Sequence, residues 1–130
     1  HFSDSTGLDA ANVSTAYEVA QLLYAAYQTE ALRPILATGT HVVQTEIPAA
    51  GESETPRIIE HAWRSSNQLL GSGGIVGGKT GYTSEAGQSL AVISATNNRH
   101  IIVVVLDAAD RFRAARGLHT WVRSAYLWKT

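Results

Sequence analysis

The sequence contains no cysteine, which excludes disulfide cross-links and thiolate chemistry and leaves the redox compartment open. Neither charge is in excess: ten basic and eleven acidic side chains give a net charge of −1. A nucleic-acid surface or a polybasic membrane patch is therefore not indicated. No run of about eighteen apolar residues occurs, so nothing within the chain spans a membrane as a helix. Internal repeats and low-complexity segments are also lacking. What is present is 130 residues, the size of one small domain able to bury a core. The chain opens on His1-Phe2-Ser3-Asp4 without an initiator methionine, and a processed product or a fragment is expected.

Lysine is scarce, since Lys79 and Lys129 are the only two. One of them stands in the densest polar strip of the chain, Gly77-Gly78-Lys79-Thr80-Gly81-Tyr82-Thr83. An ammonium and two threonine hydroxyls on a nearly bare backbone suit an anionic ligand, because glycine lets the ligand approach the main chain. Three readings fit. Gly73 to Thr80 spells the phosphate-binding pattern G-x-x-x-x-G-K-[ST], which requires a strand before it and a helix directly after it. The same residues can form the Lys-Thr-Gly edge strand of serine acyl-enzymes acting on D-alanyl peptides. The third reading is a glycine-rich hairpin with an exposed lysine. Gly81 and Gly87 weigh against a helix after Thr80, at about 1 kcal/mol each relative to alanine. Ile75-Val76 and Tyr82-Thr83 favour a strand.

The rest of the chain supplies the context. Thr15-Ala16-Tyr17-Glu18 reads as a capping box, and Val19, Leu22, Leu23, Ala26 and Tyr27 recur as one helical stripe. Pro34 and Gly39 bracket a shorter helix over Leu32 to Thr38. His41 to Ile47 and Arg57 to Trp63 alternate as strands joined through the polar loop Pro48 to Glu54. Gln88 to Thr96 is a third apolar run, Asn97-Asn98 signals a tight turn, and His100 to Leu106 reads as a fully buried strand. Asp110 can cap a final helix with the stripe Ala115, Leu118, Val122 and Ala125, flanked by Trp121 and Trp128. Strands joined by turns are antiparallel. The expected fold is therefore α+β, an antiparallel sheet flanked by helices, with the last three strands a meander under the C-terminal helix. A phosphate loop needs a βαβ order, which this is not. The histidines His41, His61, His100 and His119 show no metal spacing and read as structural; Trp63, Trp121 and Trp128 read as core.

In this order the chain resembles the D-alanyl-D-alanine carboxypeptidases, the low-molecular-weight penicillin-binding proteins. The resemblance rests on four segments: His1 to Asp9 with Ser14-Thr15-Ala16, Asn67-Gln68-Leu69-Leu70, Gly78 to Thr83 with Ala86-Gly87, and Arg111 with Leu118 to Trp121. It implies a β-lactamase/transpeptidase-like fold and a serine acyl-enzyme mechanism on peptidoglycan stem peptides ending in D-Ala-D-Ala. β-Lactams are the implied ligands, and no metal or cofactor is implied. The implied location is extracytoplasmic, in the periplasm or on the outer face of the cytoplasmic membrane. The family's S-x-x-K nucleophile motif does not occur in this sequence. Ser65-Ser66-Asn67 spells the second motif, S-x-N, but too close to Lys79, and is read as coincidence. Residues 1–130 are accordingly expected to be the C-terminal part of one catalytic domain, partnered by its N-terminal part, which would cover apolar surface left by the Ile- and Val-rich strands.

The resemblance also implies roles. Lys79 places positive charge near the substrate carboxylate and the nucleophile. Thr80 and Thr83 bind that carboxylate, and Gly81 lets the peptide lie along the strand. The backbone N–H of Tyr82 is one of two oxyanion-hole donors, each worth about 3–4 kcal/mol in such sites. Arg111 supports the carboxylate pocket, with Arg113 as the alternative.

Overall fold

The structure is a computed structural model that describes residues 1–49, 55–96 and 99–126. Its elements run α1 (Ala16–Gln28), α2 (Arg33–Ala37), β1 (Thr40–Ile47), β2 (Arg57–Arg64), β3 (Ile75–Thr83), β4 (Gly87–Thr96), β5 (Arg99–Ala108) and α3 (Arg111–Ala125). β1 and β2 form a two-stranded antiparallel sheet, and β3-β4-β5 form an antiparallel meander with β4 in the centre. The architecture is α+β, as the order of signals predicts. β3 stays extended through Thr83, so no helix begins at Thr80 and the phosphate-loop alternative falls. Most of the β1–β2 loop, the Asn97-Asn98 turn and Trp128 lie outside the described residues.

Both helix caps form as the sequence predicts. Thr15 Oγ1 accepts from the Glu18 amide at 3.2 Å, and the Glu18 carboxylate accepts from the Thr15 amide at 2.9 Å. This reciprocal bonding satisfies two amides that α1 leaves unpaired. It also holds the Glu18 carboxyl below its usual range, chiefly through the Thr15 backbone hydrogen bond. Asp110 caps α3 by accepting from the amides of Phe112 and Arg113.

Helices cover both faces of the meander. Leu69, Ile75, Leu90, Val92, Val103, Val105 and Ala115 pack on the α3 side. Leu23, Ala91 and Ile93 pack on the other, with Val19, Tyr27 and Leu36 of α1 and α2. Successive β4 residues alternate between these two clusters, as the period of two requires. Of the apolar surface expected on the Ile- and Val-rich strands, the faces are covered by α1 and α3, while the edges stay open. The two edges, β3 and β5, have a single strand neighbour each.

Several burial expectations are also corrected. Only Leu23 of the α1 stripe is buried, and Leu22 is 60% exposed because it faces a cleft beside β3. On α3 the buried residues are Ala115 and His119, while Leu118 is 44% exposed. The helix lies so that its Phe112-Ala115-His119 line meets the sheet, and Ser94 on β4 accommodates the imidazole through a 2.9 Å hydrogen bond. β5 is not fully buried: His100 and Leu106 at its ends are exposed, as an edge strand allows. Trp63 and Trp121 are each 56% exposed and are not core.

Candidate active site

The orientation of the Lys79 strand depends on one irregularity. The β3–β4 register shifts between Ile75 and Gly77, a β-bulge that places two consecutive residues on one face. Ile75 packs in the α3 cluster, whereas Val76 packs toward α1 and α2, and a Cβ built on Gly77 would meet Leu36 there at 3.2 Å. Beyond the bulge the alternation resumes with the opposite phase. Lys79 pairs with Ala91 and Gly81 with Ser89 on the α1 side, while Gly78, Thr80 and Tyr82 turn to the other. An unbulged strand would send Lys79 toward α3.

Gly78 sits where no side chain fits. A Cβ there would be 2.5 Å from the Ala91 carbonyl oxygen and 2.9 Å from Asn67 Nδ2. The Asn67 segment is thereby pressed against β3. Asn67 Oδ1 accepts from the Leu69 amide at 3.1 Å, which shapes the turn, and its buried Nδ2 has no hydrogen-bond partner. Immediately before it, Ser66 Oγ lies 2.6 Å from Thr80 Oγ1. Ser66 carries no local sequence signal of a role, because its contact is made across fourteen positions.

The N-terminal segment closes the other side of the site. His1 and Val13 bond to each other through their backbones at 2.8 and 2.9 Å. Asn12 Oδ1 accepts from the Ser3 and Asp4 amides. Residues 1–13 thus form a loop with tied ends, and its stretch Phe2 to Leu8 walls a cleft of about 1060 Å³. Within the cleft lies Asp4, whose carboxyl is held below the usual range by hydrogen bonds from the Thr6 and Asn12 side chains.

The same cleft brings together Lys79, Thr80, Gly81, Tyr82, Arg111 and Ser66. Lys79 is exposed, with Nζ donating to the Thr80 carbonyl at 2.5 Å. Arg111, in the first turn of α3, donates from Nη1 to the Gly81 carbonyl at 2.9 Å, while its Nε is buried and unpaired. Two residues of the predicted set do not line this cleft. Thr83 sits at the end of β3, where its Oγ1 accepts from the Ala86 amide at 3.0 Å and shapes the β3–β4 turn. Arg113 is exposed further along α3. Two cations beside hydroxyls and a strand edge have the chemistry that suits an extended chain carrying a carboxylate. Among the described residues, no group of three or more His, Cys, Asp or Glu side chains could hold a metal ion.

A family model described as D-alanyl-D-alanine carboxypeptidase matches residues 1–110. The chain is 29% identical over 128 residues to a D-alanyl-D-alanine endopeptidase of Escherichia coli, covering 95% of this chain and 38% of that protein. A D-alanyl-D-alanine endopeptidase of Pseudomonas aeruginosa is 30% identical over 132 residues, covering 97% and 39%. Among solved structures, the DD-transpeptidase of a Streptomyces strain superposes with a TM-score of 0.66 at 23% identity, covering 86% of this chain and 40% of that one. A D-alanyl-D-alanine carboxypeptidase of Mycobacterium tuberculosis does so with a TM-score of 0.66 at 20% identity, covering 96% and 46%. At that identity the structures share the fold. The chain spans less than half the length of each.

Proposed function

The chain belongs to the D-alanyl-D-alanine carboxypeptidase family, and from that membership we propose that it forms the substrate-recognition part of a serine peptidase acting on peptidoglycan stem peptides. The observation that carries the reading is the convergence of Lys79, Thr80, Gly81, Tyr82 and Arg111 on one open cleft along an edge strand. In this reading the peptide adds to β3 as a further strand. Lys79, Thr80 and Arg111 hold its terminal carboxylate, and Thr83, outside the cleft, fixes the β3–β4 turn by accepting from the Ala86 amide. The Tyr82 amide stabilises the oxyanion that forms as the D-alanyl carbonyl is attacked.

The attacking serine belongs to an S-x-x-K motif that this sequence does not contain, and is proposed to lie in an N-terminal part of the same domain. Its hydroxyl adds to the penultimate D-alanyl carbonyl, an acyl-enzyme forms as the terminal D-alanine departs, and water then releases the acyl group. The chemistry needs no metal or cofactor, and its substrate places the enzyme in the periplasm or on the outer face of the cytoplasmic membrane. The test is acylation by a labelled penicillin and release of D-alanine from a D-Ala-D-Ala peptide. The protein carrying both this chain and the S-x-x-K segment is expected to do both, and the chain alone neither. A covalent penicillin adduct on a serine of the chain alone would refute this placement of the nucleophile.

A further inference from the structure

The final helix carries charge of one sign only. α3 holds four arginines, Arg111, Arg113, Arg116 and Arg123, and no aspartate or glutamate. Arg111 is engaged at the β3 cleft. Arg116, Thr120 and Arg123 follow at i, i+4 and i+7, so they share one flank of the helix. That flank faces the turn that leads into β3, and between the two lies a second cavity of about 480 Å³, within the range of small-ligand sites. No acidic side chain lines it.

Some of the polar groups around this cavity are already engaged. Ser72 Oγ donates to the Leu69 carbonyl at 2.7 Å, and Ser124 Oγ donates to the Trp121 carbonyl at 3.0 Å. Arg123 Nη1 donates to the Gly73 carbonyl at 3.0 Å, which holds the guanidinium at the rim and leaves its remaining N–H groups available. Arg116 and the Thr120 hydroxyl have no hydrogen-bond or ion-pair partner among the described residues. At the floor, His119 is tied to Ser94 through Nε2, and its Nδ1 edge is turned to the same glycine turn, 3.6 Å from a Cβ built on Gly73. Arg116 and Arg123 lie about 10.5 Å apart along the helix axis, a gap that two side chains of this length can close around one group. Two guanidiniums, a hydroxyl and an imidazole edge supply more donors than the two oxygens of a carboxylate can accept, and a phosphate offers more oxygens and more charge.

We propose that this pocket is a second ligand site, which binds a phosphate group between Arg116 and Arg123, with Thr120 and the His119 edge completing its hydrogen bonds. It is separate from the peptide cleft. Ile75, which lines it, stands roughly 13 Å along β3 from Lys79, so a phosphate held there neither competes with the peptide nor reaches the reacting carbonyl. A site of this kind attaches the protein to a phosphate-bearing partner rather than adding a reaction.

The test uses the full-length protein that carries this chain. Inorganic phosphate is titrated while the His119 imidazole resonances are followed by NMR, and wild type is expected to show a saturable shift with a Kd of about 1 mM or below. Arg116→Gln is expected to weaken binding about tenfold or more, as loss of a charged hydrogen bond does, with Tm unchanged. Arg116→Lys, which keeps the charge but not the fork, should recover part of the affinity. Acetate should bind at least about tenfold more weakly than phosphate. Flotation with phosphatidylglycerol vesicles reads the source of the phosphate. Co-flotation that Arg116→Gln abolishes identifies a lipid headgroup, whereas phosphate binding without flotation identifies a soluble or polymer-borne phosphate. No saturable shift, equal affinity in Arg116→Gln, or equal binding of acetate overturns the proposal. So does a marked fall in Tm for Arg116→Gln, because another part of the protein would then already occupy that guanidinium. Penicillin acylation of Arg116→Gln should stay within about twofold of wild type, so this site and the peptidase reading fail independently.

Discussion

Gly81 is a position where an alanine side chain fits the protein but not a peptide laid along β3. A Cβ built there has the Ser89 Cβ as its nearest neighbour, at 3.8 Å, which is ordinary contact, and the backbone is outside the left-handed region. Gly81→Ala therefore imposes no clash on the fold. By restricting the unfolded chain it should stabilise the protein by about 0.4–1 kcal/mol, a rise in Tm of roughly 1–4 °C. The new methyl projects into the cleft that Gly81 lines. If a substrate backbone rests against this strand, forcing a methyl into the contact costs about 1–3 kcal/mol, as overpacking does in cores. That is a factor of roughly five to one hundred and fifty in rate. The assay pairs a thermal melt with the second-order rate of acylation by a labelled penicillin, on the protein carrying this chain and the S-x-x-K segment. A variant that melts higher but acylates far more slowly supports strand addition. A variant that acylates at the wild-type rate refutes it, and one that melts much lower refutes the geometry.

Three residues earlier the same substitution should act in the opposite way. Gly78→Ala would bring a methyl within 2.5 Å of the Ala91 carbonyl oxygen, a backbone atom that no rotamer change can move, and should cost about 3 kcal/mol, read as a lowered Tm. Arg111→Ala removes the donor to the Gly81 carbonyl, an exposed group that water can satisfy. Stability should change by less than about 1 kcal/mol, whereas acylation by penicillin should fall about tenfold to a hundredfold, the worth of a charged hydrogen bond. Burial, and then the nearby Arg123 charge, lowers the His119 pKa below its ordinary 6.5. The unfolded chain therefore takes up the proton first as pH falls, so the stability His119 contributes is present above that pH and is lost below it. Tm measured between about pH 7 and pH 5 should decline more steeply for wild type than for His119→Gln, and parallel declines would count against the linkage.

Much of the fold was legible because it is local. The Thr15–Glu18 box, the Asp110 cap, and the alternation of β1 and β2 depend on residues a few positions apart, and each formed as read. The strip Lys79, Thr80, Gly81 and Tyr82 stood out for the same reason, since it is contiguous, and the structure places all four along one cleft. Arg111 was identified through its resemblance to a family position, and the structure supplies its contact with Gly81.

What spacing cannot state is what lies opposite a face. The α1 stripe contained both Leu22 and Leu23, but only the position of the sheet decides that one is buried and the other borders the cleft. The apolar count of α3 favoured Leu118 over His119, and a hydroxyl on the central strand reversed that order. Ser66 meets Thr80 only because Asn67 closes its turn against Gly78. The bulge at Val76 matters most. The sequence determined that Lys79 stands on a strand, because glycines and β-formers leave it no helix to join. Which face of that strand it occupies was decided by the tertiary structure: a single extra residue in one strand of an antiparallel pair reverses the phase of every side chain beyond it, and whether that residue is accommodated depends on the packing of both faces.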